Sequence, residues 1–149
     1  FNSAIGIGLN IDKESLSDVP KLTDINYVPN GTTPLYDAIG FSIDSLDDAE
    51  GSVLFIVLTD GYENSSTRFN KHDITQKISR KTEQDWNFVF LGCDIDAMEE
   101  GRDIGIEPES AKSYSRAESS QAMREMADST IRYAKRDLVA RKKVGFFKK

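Results

Sequence analysis

The chain has 149 residues, 38% hydrophobic and 30% charged, which suits one folded domain or a large part of one. No apolar run reaches the roughly 18 residues of a membrane-spanning helix. The single cysteine, Cys93, excludes an internal disulfide and favours a reducing, cytoplasmic compartment. The net charge of −6 conceals an asymmetry. Arg132, Lys135, Arg136, Arg141, Lys142, Lys143, Lys148 and Lys149 stand against Asp137 alone, so residues 132–149 carry +7 and residues 1–131 carry −13. The basic tail reads first as a solvated helix face, with Lys and Arg near a helix C-terminus where they complement the dipole, rather than as a nucleic-acid platform. A basic arm that docks an acidic partner is the alternative.

In chain order, residues 4–11 alternate small and branched side chains and read as a strand near a sheet edge. Residues 12–28 read as loop, punctuated by Pro20. Asn30-Gly31 is a turn signal. Thr33 is expected at an N-cap with Pro34 as the first helical residue. Leu35, Ala38, Ile39, Ile43 and Leu46 then fall at three- and four-residue spacing on one buried face of a helix over 34–46. Residues 53–58 are continuously apolar and branched, which predicts a strand buried on both faces of a parallel sheet.

Residues 61–70 form a polar loop long enough to be functional. A helix is expected over 72–82 with Ile74 and Ile78 inward, and a second buried strand over 86–91. A helix over 94–104 should stop at Gly105. A short strand follows at 111–114. One long amphipathic helix is expected over 117–143, with Met123, Ala127, Ile131, Ala134 and Leu138 inward. The alternation of strands and helices predicts an α/β fold with a doubly wound, mostly parallel sheet flanked by helices.

The chemistry points to the carboxyl edge of that sheet. Thr59-Asp60-Gly61 follows the apolar run 53–58 directly, and open α/β sheets place ligands at the carboxyl ends of their strands. Asp60 would be a carboxylate on a rigid edge, with Gly61 letting the chain turn away. Thr33 would bring a hydroxyl to the same edge at the positive end of a helix.

These residues resemble a known family. The segment PNGTTPLYDAI, the later LFIVLTDGYENSS, and then DWNFVFLGCDIDA and GRDIGI are similar to the von Willebrand factor type A domain, in its bacterial and phage branch. The resemblance covers most of residues 1–115. It implies a Rossmann-like fold and a metal-ion-dependent adhesion site holding Mg2+ or Mn2+. By motif, Thr33 matches the family's loop threonine and Asp60 its later aspartate. The family's Asp-x-Ser-x-Ser motif occurs nowhere in the chain. Asp12-Lys13-Glu14-Ser15-Leu16-Ser17 has the wrong spacing and no apolar strand before it. The resemblance therefore implies an N-terminally truncated, partial domain over 1–149, with 117–149 its C-terminal helix and basic tail. A complementing N-terminal segment would supply the central strand and the rest of the metal site.

The function implied is a divalent-cation-dependent protein-binding module whose partner offers an Asp or Glu as the last metal ligand. Glu63, Asn64, Ser65 and Ser66 could line its rim. An alternative is a Mg2+-dependent phosphohydrolase or nuclease using Asp60, Asp94 and Asp96. The plainer expectation is helix N-capping by Asp94 or Asp96. A metal-free structural subunit is the third reading. Asp37 is read as complementing a helix dipole, His72 as a surface residue and Cys93 as packing. No nucleophile–base pair or cofactor fingerprint is read in the sequence.

Overall fold

The structure is a computed structural model that describes residues 15, 17–19, 31–49 and 51–148, with backbone only at Leu138, Lys142 and Lys143. The expected strand at 4–11 and most of the loop at 12–28 lie outside the described residues. The described part is α/β. Three parallel strands, β1 (Leu54–Thr59), β2 (Asn87–Cys93) and β3 (Ala111–Tyr114), lie side by side in chain order. Leu58 pairs with Leu91 and Thr59 with Gly92, while Cys93 pairs with Tyr114. All three strands therefore end at one edge.

Helices cover both faces. On one face lie α1 (Leu35–Ser45), α2 (Lys71–Glu83) and α3 (Ala97–Asp103). Their Leu35, Ile39, Ile43, Ile74, Ile78 and Ile104 form one core with Val57, Phe88 and Phe90. Phe55, Trp86 and Phe88 form a ring cluster at its margin, with centroids 5.4–6.3 Å apart. On the opposite face, α4 (Ser119–Lys135) and the segment after α5 (Leu138–Lys143) pack Tyr133 and Phe146 against Val89 and Leu91.

The local sequence explains most element boundaries. Asn70 and Asp73 form a reciprocal capping box at the start of α2. The Asp96 side chain accepts from the amides of Met98 and Glu99 and so caps α3. Gly105, at φ +90°, takes the left-handed conformation just past the last turn of α3.

Three expectations need correction. The first strand is not buried on both faces: Val57 and Thr59 are buried, but Leu58 is 46% exposed. Among the described residues β1 pairs with β2 alone, so the fully enclosed strand is β2, buried from Phe88 to Cys93.

The second correction concerns Thr33, which is not the N-cap of α1. Pro34 holds that position at φ −80° and ψ 67°, with no side-chain cap of its own.

The third concerns the C-terminal helix, which breaks into two. Arg136 is extended, and Asp137 caps a new helix through the Ala140 amide at 2.8 Å. The buried face of α4 is Ala122, Ser129 and Tyr133, while Ala127, Ile131 and Ala134 are exposed. Both sets repeat at helical spacing, so periodicity alone could not choose between them. Tyr133 decides it by packing against Phe146, 5.9 Å between ring centroids.

Candidate functional site

The carboxyl edge begins with Thr59, a buried residue at the end of β1. Its hydroxyl donates to the Gly61 carbonyl at 2.9 Å and accepts from the Gly61 amide at 3.2 Å. This double contact folds the chain back over two residues and pushes Asp60 outward, where its side chain is 74% exposed. Thr33 meets the same turn. A Cβ on Gly61 would lie 2.7 Å from the Thr33 hydroxyl oxygen, so a glycine is what permits this close approach. The structure thus brings Thr33 to the turn that carries Asp60.

The loop after Gly61 is bound to the start of α1. The Thr33 amide donates to the Asn64 Oδ1 at 2.8 Å, and the Asn64 amide donates to the Thr33 carbonyl at 3.1 Å. Glu63 accepts from the amides of Tyr36, Ser65 and Ser66 at 2.7–2.8 Å, and from the Ser66 hydroxyl at 2.6 Å. The Ser66 hydroxyl oxygen in turn accepts from the Asp37 amide at 3.0 Å. The orphan donors of the α1 N-terminus are therefore satisfied by residues about thirty positions away, in place of a local cap.

Asp37 returns the contact. It is 6% exposed, and its carboxylate accepts from the amides of Thr67, Arg68 and Phe69 at 2.8–2.9 Å. Burial works against ionisation of Asp37 and of Glu63. The hydrogen bonds outweigh it at both and hold each carboxyl below its ordinary value. Of the expected rim residues, Glu63 and Asn64 are thus engaged in holding the loop. Ser65 is half-buried beside them, its amide on Glu63.

Asp94 lies at the same edge, at the end of β2, with φ 56°. It caps no helix. Its Oδ1 accepts from the Arg116 amide at 3.2 Å, and the Arg116 guanidinium stands 3.8 Å from carboxylate oxygens of both Asp94 and Asp60. Asp96 follows the capping expectation, with the Tyr62 hydroxyl accepting from its amide at 3.4 Å. Cys93 is buried, and burial together with the neighbouring Asp94 pushes its thiol pKa up, away from the reactive thiolate. His72 is exposed on α2, where its ring meets Gln76 at 3.0 Å.

A magnesium-type cation takes hard oxygen ligands in near-octahedral geometry, about six in all. Thr33 and Asp60 offer oxygens of the right chemistry and too few of them. Among the described residues no group of three or more His, Cys, Asp or Glu is arranged to hold a metal ion.

One contributor escaped sequence reasoning. Arg116 could have been flagged by its place two residues beyond β3, at the carboxyl end of the third parallel strand.

Among the described residues of the basic tail, Arg136, Arg141 and Lys148 make contacts within the fold. Arg136 donates to the carbonyls of Val144, Gly145 and Lys148 at 2.7–3.2 Å. Arg141 donates to the carbonyls of Arg136 and Ala134 and lies 4.9 Å from the Tyr133 ring centroid. Lys148 faces Glu109 at 3.7 Å.

Among the described residues no helix is long and apolar enough to cross a membrane. Comparison with models of protein families, with curated proteins and with solved structures finds no match.

Proposed function

We propose that this chain forms a von Willebrand factor type A-like domain, in whose 149 residues no Asp-x-Ser-x-Ser motif occurs. Together with a complementing segment it serves as a divalent-cation-dependent protein-binding module of a bacterial or phage cytoplasm. The observation that carries the reading is the meeting of Thr33 with the Asp60–Gly61 turn at the carboxyl end of β1. Thr33 and Asp60 would hold Mg2+ or Mn2+ together with oxygens from a complementing segment. A partner's Asp or Glu would take the open position, because the cation's remaining affinity is for hard oxygen. The exposure of Asp60 supports access from outside.

The phosphohydrolase or nuclease reading has less in its favour. The Asp94 carboxylate is already engaged by the amide and guanidinium of Arg116. A metal-free structural subunit remains the reading if no cation binds.

The test is a melting experiment on the chain with a complementing strand and Asp-x-Ser-x-Ser loop supplied. Mg2+ or Mn2+ at a hundred times its Kd should stabilise the native state by about 2.7 kcal/mol. Asp60→Ala should abolish that increment. An increment that survives Asp60→Ala rules out the assigned site. No increment in the unsubstituted protein leaves the structural-subunit reading in front.

A further inference from the structure

The hydrogen bonds between α1 and the 61–70 loop form a closed circuit. Glu63 and Ser66 cap the α1 amides of Tyr36 and Asp37, and the Asp37 carboxylate caps the loop amides of Thr67, Arg68 and Phe69. The Phe69 ring completes the circuit sterically. It lies so close to Gly40 that a Cβ there would sit 2.4 Å from a ring carbon. A polar loop of this length would ordinarily sample many conformations. Here its backbone donors converge on two carboxylates that are kept ionised by those same donors.

We infer that Asp37 and Glu63 are paired positioning residues. They lock the 61–70 loop onto α1 and thereby fix Thr33 against the Asp60–Gly61 turn. Glu63 adjoins Asn64, and the two-way contact between Asn64 and Thr33 transmits the lock to the edge. The loop is accordingly a pre-organised binding rim. Pre-organisation lowers the entropy that a ligand must overcome on binding. The inference rests on the proposed function only for what the rim binds; the lock itself is read without any ligand.

The isosteric variants Asp37→Asn and Glu63→Gln test this in the full chain. Each amide replaces an accepting oxygen with an NH2 group aimed at a donor, while side-chain volume is kept. Amide hydrogen exchange is followed residue by residue at pH 7. In both variants protection should fall at least tenfold at Thr67, Arg68 and Phe69. It should also fall at least tenfold at the remote pair Thr33 and Asn64, which neither substituted side chain touches. Phe90, in the sheet core, should be unchanged and so reports that the fold persists. Ser66→Ala, a milder change in the same circuit, should give the same pattern at smaller amplitude and serves if either isostere fails to fold.

Loss of protection confined to residues 67–69, with Thr33 and Asn64 within twofold of wild type, would overturn the inference. The lock would then be a local cap only. The cation reading is tested apart from this, by the melting experiment above, so its failure leaves the exchange data to decide the lock on their own.

Discussion

At the scale of single residues, the notable feature is how few side chains at the carboxyl edge are free. Glu63, Asn64, Ser66 and Asp37 hold backbone, and Thr59 shapes a turn. Asp60 stays exposed, and among the described residues it faces the Arg116 guanidinium at 3.8 Å. An exposed ion pair at such separation contributes about 0–1 kcal/mol, so Arg116 is an easily displaced neighbour.

The held carboxylates have a pH consequence. Asp37 and Glu63 are lowered from ordinary values of 3.8 and 4.5, so in acid the folded form binds fewer protons than the unfolded chain. Their stabilisation is fully present above that range and is lost as pH falls through the lowered folded values. Glu100 works oppositely. Burial, with Asp103 and Glu99 nearby, raises its pKa, so its charge costs stability at neutral pH and acid removes that cost. Stability measured by denaturant titration should therefore hold or rise slightly from about pH 7 to about pH 5, as Glu100 takes up its proton, and fall below about pH 4 as Asp37 and Glu63 do. Glu63→Gln should flatten the acid decline. An unchanged decline in that variant would show that Glu63 is not held as described.

At the scale of elements, α4 is the instructive case. Its apolar residues offer two neighbouring stripes, and the structure buries the one that contains Tyr133. Tyr133→Ala removes an aromatic ring packed against Phe146 and Arg141, and should cost about 3–5 kcal/mol. Ile131→Ala touches a side chain that is 55% exposed, and should stay within about 0.5 kcal/mol. Equal losses at the two positions, measured by urea unfolding, would mean that α4 lies on the sheet by its other face.

At the scale of the whole molecule, β2 is the spine. It pairs with a parallel strand on each side and is covered on both faces, so its substitutions should dominate stability. Phe90 is fully buried, and Phe90→Ala should cost about 3–5 kcal/mol, a large share of a net stability of about 5–15 kcal/mol. Leu58 on β1 is nearly half exposed, and Leu58→Ala should cost less than about 1 kcal/mol. The comparison tests the finding that β1 is not the enclosed strand. A Leu58→Ala loss as large as that of Phe90→Ala would show that β1 carries a further neighbour in solution.

The sequence by itself determined the α/β class, the order of helices and strands from α1 to β3, and the edge at which Asp60 and Asp94 stand. Those features follow from local periodicity, from apolar runs and from the geometry of parallel strands, which puts successive strand ends at one edge. The strand at 111–114 and the caps at Asp96 and Gly105 were legible for the same reason, because their signals lie within a few residues. Tertiary structure decided which apolar run is enclosed, which stripe of α4 is buried and what caps α1. Each depends on a partner far along the chain: β2 between two neighbours, Phe146 on Tyr133, and Glu63 with Ser66 on the amides of Tyr36 and Asp37. A proline at the N-cap signals that a local cap is missing. Only the folded chain shows that a loop some thirty residues away supplies it, because hydrogen-bond donors are satisfied by whatever packing brings within reach.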